Sequence, residues 1–365
     1  MALINEVELV LCSVETQAAH PELFHYTSSQ AFESIVTSNT FWASHYRDMA
    51  DTQEVLLLRD ALPAPVAGQF DAILTCLNQA GRDVLEESGG TAQLARDFVN
   101  SLYGATFDGQ ATFGALDAFL VSFSTHARDD EFVRVNGLDS QWARYASPDG
   151  LCIVLDTTAF AQHLGLEADA RYWIGPRLDP VRYADAAIEE LFPELVAESG
   201  NTLRRFLAGV EYPEMGVPEF LAGATLLKGA DFRSEREVRV VAISGNQALS
   251  DQAATDHPSD FTVLPLPAVR QRPGGRRYVT LFESLGLKLP IKRVIVGPST
   301  RQEENVALAR SLLPGVEVVL SNCALSQPEP SPPTRPACGK PHIAPVGSVD
   351  ERRAAAQRPP EGSDP

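Results

Sequence analysis

Arg293-Val294-Ile295-Val296-Gly297-Pro298-Ser299-Thr300-Arg301-Gln302-Glu303 opens the stretch that decides the fold class. Arg293 to Gly297 has the unbroken apolar character of a buried strand. Thr300-Arg301-Gln302-Glu303 has the spacing of a capping box, in which a hydroxyl and a carboxylate satisfy the first helical N–H groups. Val306, Leu308, Ala309, Leu312 and Leu313 then line one helical face, and Val316 to Leu320 is a second strand. Strand, helix and strand in this order fit a crossover unit. Gly297-Pro298-Ser299-Thr300 has neither the GxGxxG spacing nor a phosphate-binding lysine, so the unit reads as structural.

Working outward, further short strands are expected at Leu23–Tyr26, Thr40–Ser44, Phe119–Ser124, Leu151–Leu155 and Glu237–Ile243. Thr27-Ser28-Ser29-Gln30 fits another capping box, followed by Phe32, Ile35 and Val36 on a short amphipathic helix. Asp51–Leu62 is expected to be helical. Residues 185–228 read as a helical insertion broken at Pro193, Pro213 and Pro218. The fold class that follows is α+β, with a mixed, split β-sheet flanked by helices. Ten of the 26 prolines fall in Ser326–Pro365, which holds too little apolar surface to offset its ordering entropy. The expected organisation is one α+β domain over residues 1–325 and a disordered tail over 326–365.

Thirty basic against 48 acidic residues give a net charge of −18. That charge opposes general binding to nucleic acid or anionic membrane, so extended nucleic acid is not expected as a partner, although a local basic groove is compatible with it. No run reaches the roughly 18–20 apolar residues of a spanning helix. Met1 to Thr16 carries Glu6, Glu8 and Glu15 and no Lys or Arg, unlike the basic start of a secretory signal. Five scattered cysteines, with no CxxC or Cys/His ligand spacing, fit neither a disulfide framework nor a metal site. A cytoplasmic location is the expectation.

Four polar clusters at strand ends can carry chemistry. His25-Tyr26-Thr27 can offer donors to a ribose or phosphate, or simply be a capped helix start. Asp48, Asp51 and Glu54 can bind a cation, or sit on a solvated first helical turn. Ser122-Phe123-Ser124-Thr125 and Trp142-Ala143-Arg144-Tyr145 can wall a pocket in which Tyr145 stacks on a planar ring; Trp142 and Tyr145, three apart, also suit a core. Lys228 and Glu235-Arg236-Glu237-Val238-Arg239 form the fourth. Period-two alternation puts Glu235, Glu237 and Arg239 on one face, with Val238 and Val240 on the other. A carboxylate there can accept sugar hydroxyls and stabilise oxocarbenium-like charge, or belong to a salt-bridged sheet edge.

In order, these motifs resemble the bacterial domain-of-unknown-function family 2971. The resemblance rests on Phe24-His25-Tyr26-Thr27, Phe41-Trp42-Ala43-Ser44, Asp51-Thr52-Gln53-Glu54, Val121-Ser122-Phe123-Ser124, Trp142-Ala143-Arg144-Tyr145, Gly150 to Asp156, Val181-Arg182-Tyr183, Lys228 and Glu235 to Arg239, ending near Val294-Ile295-Val296-Gly297. It spans about residues 22–300. More distantly, His25, the Ser122–Thr125 strand and Glu237 follow the order of site residues in the ADP-ribosyltransferase fold. That second resemblance implies NAD as a substrate and transfer of ADP-ribose to a macromolecular acceptor. In that reading His25 binds the ribose, Tyr26 or Tyr145 packs the nicotinamide, and Thr27 belongs to the same cofactor-binding edge. Ser124 orients the site, Glu237 stabilises the transition state, Glu235 positions the acceptor, and Arg239 holds the strand or pyrophosphate. The alternative is a non-catalytic nucleotide- or protein-binding module in bacterial stress or phage defence.

Overall fold

The computed structural model describes residues 12–49, 54–108, 116–127, 130–146, 148–210, 216–256 and 263–323. The chain divides into a unit from Met1 to Pro328 and a second from Glu329 to Pro365. The expected tail over 326–365 lies outside the described residues.

Twelve strands are described: β1 (Glu22–Thr27), β2 (Phe41–His45), β3 (Asp117–Ser124), β4 (Leu151–Asp156), β5 (Trp173–Pro180), β6 (Arg182–Tyr183), β7 (Leu227–Lys228), β8 (Glu237–Ser244), β9 (Arg270–Gln271), β10 (Arg277–Leu281), β11 (Ile291–Val296) and β12 (Glu317–Leu320). Ten of them form one mixed sheet, in which β8 lies between β3 and β5; β6 and β7 form a separate parallel pair. The fold is therefore α+β. β11 and β12 run parallel, from Arg293↔Glu317 to Val296↔Leu320, joined by helix Gln302–Leu312. The strand–helix–strand reading of the sequence describes this unit.

β3 is the strand at which the sheet splits. One of its edges pairs with β8 along its whole length, from Asp117↔Ser244 to Ser124↔Glu237. The other edge is shared. β2 takes Phe119 and Leu120, while β1 meets it only at Phe24↔Ser124. The β12-β11-β4-β1 half thus parts from the β2-β10-β9 half along β3.

Side-chain alternation assigns the two faces. On one face Phe119, Val121 and Phe123 of β3 and Val238, Val240 and Ala242 of β8 join an apolar core. Helices Ser29–Ser38, Thr157–Ala170 and Gln302–Leu312 close that core through Phe32, Val36, Phe160, Leu164 and Ala309. The other face carries two separate apolar clusters. Ala118, Leu120, Val241 and Ile243 pack beneath a helical block. Phe24, Tyr26, Cys152, Val154 and Ile295 pack around Trp142 of helix Asp139–Tyr145. Ser122, Ser124, Glu237 and Arg239 belong to neither cluster and form a polar seam between them.

The helical block is larger than the sequence patterning predicts. Besides Ile188–Leu191, Pro193–Leu207 and Val217–Leu226, and Glu54–Ala61 within the expected Asp51–Leu62 helix, it includes Pro63–Gly68, Phe70–Leu74, Gln79–Glu87 and Thr91–Phe107. Leu58, Leu62, Val66, Phe98 and Leu102 pack there against Leu195, Leu203 and Phe220. Pro193 and Pro218 begin helices, where a missing N–H costs nothing. Pro213 lies outside the described residues. Two expected caps also move. Ser28, rather than Thr27, accepts the Ala31 N–H, and Arg301 at the start of the last helix has no side-chain cap bond.

Trp142 fixes helix Asp139–Tyr145 to the sheet. Its indole N–H donates to the Asn136 carbonyl at 2.9 Å, and its ring meets Tyr26 edge-on. Gly297, at the end of β11, lies so close that a Cβ there would meet the indole at 2.8 Å.

Candidate functional site

The polar seam holds a continuous chain of charges. Glu237, the first residue of β8, directly faces Ser124 of β3. Its Oε1 accepts from Arg239 Nε at 2.7 Å, and its Oε2 accepts from Lys228 Nζ at 3.0 Å and Arg239 Nη2 at 3.1 Å. Arg239 is 1% exposed and also donates to the Thr225 carbonyl at 2.6 Å. Lys228 donates to Glu235 Oε2 at 2.6 Å, and Arg144 pairs with the other oxygen of Glu235.

Local folding explains this convergence. Glu237 and Arg239 share a face by strand alternation, as the sequence implies. Glu235 arrives differently: it ends a short 3-10 turn, Ala230–Glu235, and Arg236 then takes a left-handed conformation with φ 44° before the strand begins. The Arg236 carbonyl accepts both the N–H and the hydroxyl of Thr125, which fixes the turn to β3. Parallel pairing of β6 with β7 sets Tyr183 beside Lys228, and the Tyr183 hydroxyl accepts the Glu237 N–H at 2.9 Å.

Burial by itself would raise the Glu237 carboxyl pKa. The Arg239 and Lys228 charges outweigh burial and lower it to about 2. A buried carboxylate with cations on both oxygens is a firm structural node, and removing it leaves Arg239 buried without that carboxylate and Lys228 with Glu235.

The rim has a different character. Tyr145 is 46% exposed and the Arg144 side chain 48% exposed. The Arg144 guanidinium lies over both Tyr145 and Phe232, at 5.6 and 5.4 Å from the ring centres. Lys228 Nζ is 4.8 Å from the Phe232 ring centre. Burial first, and then the Glu235 charge, raise the Tyr145 phenol pKa. Trp142 and Tyr145 thus part company: the first is a core anchor, the second a rim residue.

The structure gathers Glu235, Glu237, Arg239, Ser124 and Tyr145 around the seam, but His25 lies elsewhere. Phe24 faces Ser124 and shares its side of the sheet; His25, one residue on, points to the opposite side. There it packs against Phe41 and Phe123, at 5.2 and 5.6 Å between ring centres, and its Nδ1–H donates to the Ser122 carbonyl at 3.2 Å. Burial lowers its pKa to about 4. His25 and Glu237 are therefore separated by the sheet. Tyr26 is on the Glu237 side but is built into the core. Its hydroxyl accepts the Leu138 N–H and bonds His126 Nε2, each at 2.9 Å. Thr27 is buried and does not cap the helix.

Arg144, Lys228 and Phe232 complete the arrangement. Arg144 stands beside Tyr145 and Lys228 before the Glu-x-Glu element, but their convergence depends on chain geometry between β7 and β8. In the second cluster, Asp48 accepts from the Arg277 backbone N–H at 2.7 Å; Asp51 lies outside the described residues. Among the described residues no group of three His, Cys, Asp or Glu is placed to hold a metal ion, and no helix is long and apolar enough to cross a membrane. Comparison with protein-family models, with curated proteins and with solved structures gives no match.

Proposed function

We propose that the chain is a nucleotide-binding module whose ligand rests on the rim formed by Arg144, Tyr145 and Phe232. One observation carries this reading. Both oxygens of Glu237 are engaged by buried cations, whereas Arg144 and Tyr145 remain about half exposed. The inner charges act as a rigid floor. Arg144 supplies a fork suited to phosphate oxygens, and the two rings supply faces for a base. Cys12, Cys152 and Cys323 are in no disulfide, which fits the reducing cytoplasm in which such a module would work.

Calorimetric titration with NAD, ADP-ribose and ATP tests the reading. Binding should weaken about 5- to 30-fold in Arg144→Ala and in Tyr145→Ala, since each removes a contact worth roughly 1–2 kcal/mol. Absence of binding by all three ligands, or binding unchanged in both variants, would overturn it.

A second reading is NAD-dependent ADP-ribosyl transfer to a macromolecular acceptor. It is favoured by the position of Glu237 at the start of β8, opposite Ser124 and next to the split in the sheet. Here Glu237 must exchange a bond from Lys228 or Arg239 for one from a ribose hydroxyl. Glu235 would position the acceptor, and His25 has no direct part. Nicotinamide release by the parent chain, lost in a folded Glu237→Gln variant, would decide for this reading. NAD binding without release decides for the module.

A further inference from the structure

A second exposed surface lies on the three-stranded ribbon β2-β10-β9. Residues 270–277 contain four arginines, Arg270, Arg272, Arg276 and Arg277, and no acid. This local excess stands out in a chain of net charge −18. Gly274 and Gly275 turn the hairpin with φ of 93° and 82°, and Arg272 N–H donates to the Arg276 carbonyl at 2.9 Å. The two residues thus stand opposite each other at the tip.

Pairing aligns the ribbon's outer side. Ser44 faces Tyr278, Trp42 faces Thr280, and Arg270 also faces Tyr278. Their neighbours Phe41, Ala43, Val279 and Leu281 enter the core. Trp42 stacks on Tyr278 with ring centres 4.5 Å apart at 29°. The Arg272 guanidinium lies 4.8 Å from the Trp42 centre and 5.4 Å from that of Tyr278. The guanidinium thus lies over both rings, and Trp42 is still 47% exposed.

Local carboxylates divide the four arginines. Arg270 pairs with Glu283 and Arg277 with Asp48. Among the described residues no carboxylate pairs with Arg272 or Arg276. Burial first, and the adjacent Arg276 charge further, lower the Arg272 pKa, as expected for like charges held close together.

We propose that this outer face is a platform for single-stranded nucleic acid, with Trp42 stacking on a base and Arg272 and Arg276 contacting flanking phosphates. A half-exposed flat ring flanked by guanidiniums suits any unpaired base. A duplex hides its base faces and cannot use the ring. At physiological salt, charges beyond a Debye length of about 8 Å are screened, so the acids elsewhere in the chain weigh little on this patch. The platform is independent of the Arg144 rim.

The test is fluorescence anisotropy of a short labelled oligothymidylate with the full chain at low salt. Saturable binding is expected, with log affinity falling against log salt at a slope of about −1.4, about −0.7 for each of two phosphates. Trp42→Ala should weaken binding at least ~10-fold and Trp42→Phe much less. The paired variant Arg272→Gln/Arg276→Gln should flatten the salt slope. Circular dichroism verifies that each variant is folded. Trp142 and Trp173 are buried, so quenching of intrinsic fluorescence by the oligonucleotide reports on Trp42. Absence of saturable binding, equal binding of an abasic oligonucleotide, or equal binding by folded Trp42→Ala would each overturn the proposal.

Discussion

The two faces of β3 and β8 are built from alternate residues of the same strands, yet they obey different rules. One presents Phe123, Val238 and Val240 to an aliphatic and aromatic core; the other presents Ser122, Ser124, Glu237 and Arg239 to a seam. The first face is held by non-directional burial, which tolerates a change of shape at moderate cost. The second depends on every charge keeping its partner, because a lone buried ion loses far more than a lost contact. A single substitution on the seam should therefore act like the loss of a network.

The strongest way to break the contrast is Glu237→Gln. It leaves Lys228 and Arg239 facing a neutral amide and should cost about 3–5 kcal/mol in urea unfolding. An isosteric change on the apolar face, such as Val240→Ile, should stay below about 1.5 kcal/mol. A cost for Glu237→Gln no larger than that of Val240→Ile would remove the distinction between the faces.

Acid should separate the faces in the next largest degree. His25 and His126 both have pKa values lowered to about 4, by burial first. Against an unfolded value near 6.5, the unfolded chain binds more protons between pH 6.5 and 4. The stability from these groups is complete above about pH 6.5 and falls with acid through that window, by roughly 3 kcal/mol for each histidine at most. Glu22, which pairs with Arg293, and Glu237 both titrate near pH 2. Their pairing is present above the ordinary carboxylate range and disappears only as pH falls towards 2. Denaturation midpoints between pH 7 and 4 should fall steadily, and His25→Phe should flatten part of that slope.

Smaller effects sharpen the local assignments. Ser28→Ala removes the side chain that accepts the Ala31 N–H and should cost about 1 kcal/mol. Thr27→Ala should leave the cap intact, so an equal cap loss from both would contradict the assigned helix start. Smallest of all, His25→Asn should change nucleotide affinity by less than ~2-fold, because the sheet separates residue 25 from the rim. Calorimetry on a folded variant checks this.

These contrasts also mark what could be read from the chain alone. Seven of the twelve described strands were legible because buried strands are rich in β-branched and aromatic residues, and alternation correctly placed Glu237 and Arg239 opposite Val238 and Val240; β5, β6, β7, β9 and β10 were not, being short or mixed with polar residues and prolines. The face occupied by His25 was not legible. It depends on β1 meeting β3 through Phe24 and Ser124, a long-range register that local spacing does not contain. Glu235 joins the site through the left-handed turn at Arg236, which resembles continued strand alternation in sequence but is not. The helices between Pro63 and Phe107 are not legible in the sequence because their apolar positions are distributed among several short helices. Their packing becomes evident only against Leu195, Leu203 and Phe220.

The near contact between Gly297 and Trp142 makes the rim answerable to the far end of the domain. Arg144 and Tyr145 follow Trp142 on the same short helix, whose seat is the backbone leaving β11. That backbone adjoins the last parallel crossover, more than a hundred residues along the chain from the helix it supports. One added methyl at position 297 would act as a shim under the indole, tilting the rim without touching any charged group. The aim of the rim is thus set by a residue that has no side chain to contribute to it.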